Sequence, residues 1–272
     1  MTKKRLFEIP YNFDIKLIES LKIFDPEGLT IACIYIPPFY EDYETILRGH
    51  ESNLLINILT RDEYEKHIHL INSMFPNKLQ LLLQKQEQIM SKEKLQYYIN
   101  LGFSNFCVGN LEQAKIIKNI DSNFIVVGSI SMRLTLKEIN NNHNYENYFD
   151  YIVLHFPFCR NLNEIKQLTK KYKYILLVNA YCHAHCDGKH HWEREYKTEN
   201  SYCPGRLGGN LLKWKYATRI RPMDLDLFSP YIEIFKIQDR GWPTRDILRD
   251  YILYSSDYSY YPEINYTERI YN

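Results

Sequence analysis

The 272-residue chain carries 34 lysines and arginines against 33 aspartates and glutamates, so its formal net charge is only +1. A charge this small gives no strong field that would attract nucleic acid or an anionic membrane, and charge therefore indicates neither partner. With 45% hydrophobic residues the chain can bury a large core, and barrels of this length are commonly one domain. We predict a single domain that spans residues 1–272.

The amino-terminal sequence does not predict export or membrane insertion. Met1–Arg5 is basic, but the following stretch Leu6–Tyr11 is short and is interrupted by Glu8 and Pro10, unlike the apolar core of a signal peptide. No apolar run approaches the roughly 18 residues that a membrane span needs. Six cysteines without a secretion signal favour a reducing compartment with free or metal-ligating thiols. We therefore predict a cytoplasmic protein without a membrane partner.

Short apolar runs rich in β-branched residues alternate along the chain with stretches of helical periodicity. The predicted strands are Leu29–Ile36, Leu54–Leu59, Lys78–Leu83, Asn105–Val108, Phe124–Val127, Tyr151–Leu154, Tyr174–Val178 and Ile232–Ile237. The predicted helices are Asp14–Lys22, one that begins at Thr60, Lys92–Leu101, Leu111–Lys118, Leu134–Ile139, Leu162–Tyr172 and Pro243–Tyr254. Eight strand-type runs, most of them followed by a helix, predict an α/β fold of the (β/α)8 TIM-barrel type, with a doubly wound sheet as the alternative.

The main chemical signal follows the seventh predicted strand. Cys182 and Cys186 come shortly after it in Cys-x3-Cys spacing, and Cys203 follows further along. Their surroundings are polar and contain glycine, so these thiols have no core to fill, and we predict a metal site in a cysteine-bearing insertion over 179–222. Thiolates suit both iron–sulfur clusters and zinc, and the nearby histidines suit zinc, so the spacing leaves the metal open.

Polar residues after the strands should form the catalytic face, because TIM barrels carry their active sites at the carboxyl ends of the strands. Lys236 lies near the end of the last predicted strand, where it either pairs with Asp239 or contacts substrate. Our candidate catalytic residues are Arg160, Asn179, Lys236 and Arg240.

Three cysteines lie outside the insertion. Cys33 is near the end of the first predicted strand and is a candidate fourth metal ligand. Cys107 falls inside a predicted strand and is expected to be a small core residue. Cys159 has no partner that the sequence identifies.

Several segments between Phe103 and Tyr254 resemble the collagenase-like peptidase family. They are Phe106–Lys115, Val127–Arg133, Phe149–Leu154 with Arg160 and Asn161, Leu176–Asn179 with Cys182 and Cys186, Cys203, Ile220–Leu225 and Phe235–Arg240. Their order, with cysteines after the seventh strand and Lys-Ile-x-x-Arg after the eighth, carries the resemblance.

The resemblance implies an iron–sulfur barrel with a 4Fe-4S cluster in place of zinc, held by Cys182, Cys186 and Cys203. Family hydroxylases usually bring four cysteines, which leaves Cys33 or an open position for the fourth iron. The resemblance also implies chemistry like that proposed for better-studied relatives, namely oxygen-independent hydroxylation in quinone biosynthesis and RNA modification. The resemblance does not identify the substrate, because Asp187 and Gly188 follow Cys186 where relatives tend to have proline and a basic residue.

Two functions therefore remain as expectations. The first is an enzyme that modifies a small molecule, RNA or peptide, with Arg160, Lys236 and Arg240 orienting an anionic substrate and Asn179 holding the loop that carries the thiols. The second is a non-catalytic iron–sulfur or zinc subunit that stabilises a paralogous enzyme or delivers electrons to it.

Overall fold

The computed structural model describes residues 4–43, 59–155, 158–159, 161–179, 220–238 and 240–256. Eight parallel strands pair in chain order, and the last pairs with the first, so they form a closed barrel. The strands are β1 (Leu6–Pro10), β2 (Ile31–Ile36), β3 (Leu79–Leu83), β4 (Asn105–Val108), β5 (Ile125–Gly128), β6 (Tyr151–Val153), β7 (Lys173–Leu177) and β8 (Ile234–Lys236). The predicted TIM-barrel fold is confirmed.

Helices connect most of the strands. They are α1 (Ile15–Phe24), α2 (Arg61–Met74), α3 (Lys92–Asn100), α4 (Leu111–Ile120), α5 (Leu136–Asn141), α6 (Leu162–Ile165), α7 (Leu225–Phe228) and α8 (Thr244–Ser255). Helix α2 begins with the capping box that the sequence indicates, in which the Thr60 side chain accepts from the Glu63 amide and the Glu63 side chain accepts from the Thr60 amide. None of these described helices is long and apolar enough to cross a membrane.

The first strand of the barrel is Leu6–Pro10, which we did not predict as a strand. The prediction that Leu54–Leu59 is a barrel strand is wrong, because the ring closes through β1 to β8 without it; most of that run lies outside the described residues. We did not predict the first strand because it contains Glu8 and Pro10, and charged residues and proline are both unusual in a central strand. In the structure the Glu8 side chain is buried and hydrogen-bonded.

The predicted helix Leu162–Tyr172 is much shorter in the structure, where α6 ends at Ile165. Beyond it, the Thr169 amide donates to the Asn140 side-chain oxygen at 2.8 Å. The Asn140 amide in turn donates to the Gln167 carbonyl at 2.9 Å. These side-chain contacts with α5 offer the backbone an alternative to further helical turns.

The lumen of the barrel is filled by layers of side chains that come from alternate strands. The strand register, taken with the tilt of the strands, defines a lower, a middle and an upper layer from the amino to the carboxyl end. The lower layer is Cys33, Asn105, Tyr151 and Ile234; the middle layer is Glu8, Gln80, Val127 and Ile175; the upper layer is Tyr35, Cys107, Val153 and Lys236. The middle and upper layers therefore bring charged and polar groups into the centre of the barrel.

Gly109 follows β4 at a point where two loops of the carboxyl end touch. A Cβ atom at this position would lie 2.2 Å from the Gln84 carbonyl oxygen and 2.6 Å from its carbon. These are backbone atoms, so a rotamer change cannot relieve the contact. The tight approach of the loops after β3 and β4 therefore requires glycine.

We predict that Gly109→Ala lowers the free energy of unfolding by about 3 kcal/mol or more, the upper range for over-packing. Gly128→Ala is the matched control, because its Cβ would meet Met132 Sδ at 3.4 Å and Phe149 carbons at 3.6 and 3.7 Å, which are ordinary contacts. Urea unfolding of both variants beside the parent is the measurement. Equal stability of the two variants would contradict the close backbone approach at Gly109.

Candidate active site

A buried ion pair occupies the centre of the barrel. Lys236 on β8 donates from Nζ to Glu8 Oε2 on β1, and the two residues are 5% and 1% exposed. The other carboxylate oxygen, Glu8 Oε1, accepts from Gln80 Nε2 at 3.1 Å. Because β1 and β3 are not neighbours in the ring, the bond between Glu8 and Gln80 crosses the lumen. Both oxygens of the Glu8 carboxylate are thus hydrogen-bonded, as a buried charge requires.

Tyr35 covers this ion pair within the upper layer. Lys236 Nζ lies 3.8 Å from the centre of the Tyr35 ring, a cation–π contact. The Tyr35 hydroxyl donates to the Ile237 carbonyl at 2.7 Å. Burial, the largest single effect, would lower the pKa of Lys236, but the Glu8 carboxylate acting together with Tyr35, Cys107 and Cys33 raises it. Lys236 is therefore a permanent cation and not a neutral amine available as a nucleophile.

Two thiols lie close to the ion pair, at different heights in the lumen. Burial, reinforced by the charge of Glu8, raises the pKa of Cys33 well above its usual value. Burial also raises the pKa of Cys107 to about 11, although Lys236 opposes this shift. Both thiols are protonated at neutral pH. Cys107 is buried, as predicted for a small core residue, and Cys33 lies in the lower layer, two layers further from the carboxyl end than Cys107.

Asn179 forms a bridge at the carboxyl end of the barrel. Its side-chain oxygen accepts from the Gln238 amide at 2.8 Å, and its side-chain nitrogen donates to Asp250 Oδ2 at 3.0 Å. Asn179 therefore joins the end of β7 to the chain after β8 and to helix α8. These contacts fix the position of Asn179 itself; its predicted role of holding the following loop stays a prediction.

The segment 180–219 begins and ends at one place on the barrel. The Ile220 amide donates to the Val178 carbonyl at 2.8 Å. The Tyr254 hydroxyl contacts both carbonyls, at 3.0 Å from Val178 O and 2.7 Å from Ile220 O. Tyr254 of helix α8 thus contacts residues that flank the segment on both sides. The predicted ligands Cys182, Cys186 and Cys203 belong to this segment and lie outside the described residues.

Arg240 follows β8 and is 6% exposed. Its positive charge acts on Cys107 and lowers the pKa of that thiol slightly against the larger effect of burial. Arg240 and Lys236 both oppose the effect of burial on the pKa of Cys107. Of the other predicted site residues, Arg160 lies outside the described part of the chain, as does Asp239, the partner we had considered for Lys236.

The structure shows two buried side chains near Lys236 that we did not predict from the sequence. They are Glu8, which pairs with Lys236, and Gln80, which donates to Glu8. The sequence signal for the pair was Glu8, a single carboxylate in the short apolar run Leu6–Pro10, together with Lys236 in the apolar run Ile232–Ile237. Two opposite charges inside apolar runs are best buried as a pair. Among the residues that the structure describes, no group of three or more His, Cys, Asp or Glu side chains could hold a metal ion.

Comparisons with solved structures agree with the barrel fold. The structure of the U32 peptidase Mk0906, a collagenase-like family protein, aligns with a TM-score of 0.50 at 12% identity, over 88% of this chain and 94% of that one. A protein from Aquifex aeolicus VF5 aligns with a TM-score of 0.50 at 11% identity, over 93% and 92% of the two chains. No protein-family model matches this chain, and no curated protein sequence matches it. At these identities the likeness establishes a shared fold.

We predict that Lys236→Met lowers the free energy of unfolding by about 3–5 kcal/mol, because it leaves the Glu8 carboxylate buried without its cation. Glu8→Gln should be similarly harmful, since it leaves the ammonium group unpaired. The double variant Glu8→Gln with Lys236→Met should be more stable than the sum of the single effects allows. Denaturant unfolding of all four proteins gives this coupling energy. Additive losses would show that the two side chains do not depend on each other.

Proposed function

We propose that the chain is a cytoplasmic iron–sulfur barrel enzyme that carries out a redox modification related to oxygen-independent hydroxylation. The observation that carries this proposal is the attachment of the cysteine-bearing segment 180–219 to the end of β7. Both ends of that segment lie at the carboxyl end of the barrel, through Val178 and Ile220. This is the end at which TIM barrels hold their active sites.

The cysteines in the sequence of this segment are compatible with a cluster. Three thiols are a soft donor set, which suits iron–sulfur clusters. Cys182 is three residues beyond Asn179, so their Cα atoms are at most about 10 Å apart at roughly 3.3–3.6 Å per residue. A metal bound to Cys182 therefore lies close to the mouth. Cys33, in the lower layer, is separated from the mouth by the ion pair and Tyr35, which favours an open fourth position.

The cluster would supply electron transfer or a Lewis-acidic iron. We expect the substrate to carry a negative charge. Arg240, together with Arg160, would bind the anion, while the positive charge of Lys236 is balanced by Glu8 in the buried pair. The Tyr35 ring lies against the Lys236 ammonium group. Asn179 would keep the root of the cysteine segment in place through Gln238 and Asp250.

A second candidate is a non-catalytic iron–sulfur or zinc subunit that stabilises a paralogous enzyme or passes electrons to it. One observation favours it. The candidate catalytic residues Lys236 and Asn179 have internal partners, in Glu8 and in Asp250 with Gln238. Such bonds stabilise the barrel whether or not a substrate binds. The two candidates differ in whether one iron remains open.

We expect anaerobically purified protein to contain about four iron and four sulfide per chain, the composition of a 4Fe-4S cluster. Cys182→Ala should lose most of both, because it removes a proposed ligand. Cys33→Ala is the matched control and should retain the parent content, since that thiol lies in the lower layer of the lumen. The measurements are iron and sulfide assays with an absorption spectrum. One zinc per chain without sulfide would overturn the cluster assignment.

The open fourth position gives a separate test that does not need the substrate. If one iron lacks a protein ligand, added cyanide should bind it and shift the electron paramagnetic resonance spectrum of the reduced cluster. Cys33→Ala should respond in the same way as the parent. A spectrum that cyanide leaves unchanged indicates a fully ligated cluster and favours the electron-transfer subunit.

A further inference from the structure

A tyrosine and a histidine are hydrogen-bonded beside the loop that follows β1. Tyr11 comes directly after β1 and is fully buried. Its hydroxyl lies 2.5 Å from Nδ1 of His67, which is half-buried in the middle of α2. Among the residues that the structure describes, His67 is the only hydrogen-bond partner of this hydroxyl. The pair therefore joins the chain after β1 to helix α2.

Phe13, in the same loop, has an unusual backbone conformation. Its φ is 61°, in the left-handed region that a bulky side chain rarely adopts. The centre of the Phe13 ring lies 5.1 Å from that of Tyr11 and 5.8 Å from that of Tyr64. It lies 5.7 Å from that of His67. A residue keeps a strained conformation only where its surroundings hold it there. His67 therefore supports the loop twice, through its bond to Tyr11 and through its contact with Phe13.

The loop after β1 is also bonded to the chain after β8. Asn12 donates from Nδ2 to the Trp242 carbonyl and to Thr244 Oγ1, both at 3.1 Å. The Thr244 hydroxyl donates to Asp14 Oδ2 at 2.5 Å. The candidate catalytic residue Arg240 is two positions before Trp242. The loop after β1 thus joins α2 on one side to the start of α8 on the other.

We propose that His67 is a pH-sensitive switch, whose neutral form holds the loop 11–14 in place and whose protonation in mild acid releases it. In a neutral imidazole one ring nitrogen accepts, so Nδ1 can accept from the Tyr11 hydroxyl. Protonation places a hydrogen on both nitrogens, and Nδ1 can then only donate. The hydroxyl hydrogen loses its acceptor among the described residues, and a buried donor without an acceptor costs free energy.

The charged ring is more stable in water than among aromatic side chains. Its departure toward solvent removes both the bond to Tyr11 and the contact with Phe13, which lets the strained loop relax. The switch does not depend on the proposed iron–sulfur function, since none of the predicted metal ligands takes part in it.

The groups that face His67 act on its protonation in opposite directions. Burial, the largest effect, lowers the pKa of His67 below its ordinary value of 6.5, while the carboxylates of Glu63 and Asp14 act the other way and do not outweigh burial. Glu63 belongs to α2 and accepts from the Thr60 hydroxyl. The unfolded chain therefore binds this proton more readily than the folded chain does. Stability that depends on neutral His67 is lost as the pH falls below 6.5.

The test compares hydrogen exchange of residues 11–14 at about pH 7.5 and about pH 5, corrected for the intrinsic effect of pH on exchange. The parent should lose protection several-fold in acid. His67→Asn should keep its protection, because the amide stays uncharged at both values and retains a polar atom near the position of Nδ1. His69→Asn is the matched control, since His69 is exposed on the same helix, and it should respond as the parent does.

A second measurement needs only the folded parent. Magnetic resonance titration of the His67 and His69 ring protons, assigned with the two variants, gives the midpoint of each ring. The His67 midpoint should lie clearly below that of His69, and the loss of protection should accompany protonation of His67. A His67 midpoint at or above that of His69 would overturn the proposal. An acid-dependent loss of protection that persists in His67→Asn, or none in the parent, would also overturn it.

Discussion

The ion pair between Glu8 and Lys236 lies on the seam where the first strand of the barrel meets the last. Its two residues are 228 positions apart in sequence and directly opposed in the pairing of β1 with β8. In a closed barrel the seam has the same backbone hydrogen bonds as any other strand pair, so side chains must specify which strands close the ring. A buried pair of charges does this, because any other register leaves a charge in the core without its partner.

The polar groups around the pair satisfy the remaining hydrogen-bonding capacity of the carboxylate. Gln80 donates to the second oxygen of Glu8, and the Tyr35 ring lies against the ammonium group. The result is a buried and hydrogen-bonded ion pair in the middle of the barrel, below the loops of the carboxyl end. Helix α8 adds the second constraint, because Tyr254 and Asp250 fix the two places where the cysteine segment leaves and rejoins the fold.

The sequence was sufficient to predict the barrel, because seven of its eight strands are apolar runs at a regular spacing between helices. It was insufficient at β1, where the residues that make the strand unusual are those that function inside the lumen. Secondary-structure propensity describes how a residue behaves in an average environment. The Glu8 carboxylate is buried here beside Lys236, which is distant in sequence. The same reason explains why Lys236 was assigned the neighbouring Asp239 as its possible partner. Asn179 was identified by its place after a strand, but its bonds to Asp250 and Gln238 depend on how α8 packs, which periodicity does not specify.

The seam also bears on how this barrel can be made on the ribosome. The first strand leaves the ribosome well before its partner β8, because Lys236, the cation for Glu8, is 228 positions further along the chain. Until then β1 can pair on one edge alone, and its carboxylate must remain in water, because burying it unpaired is costly. Closure of such distant ends is also slow, since contacts of long sequence separation form late. During synthesis the growing sheet therefore has two open edges, which are the surfaces on which chaperones act and on which partly made chains associate.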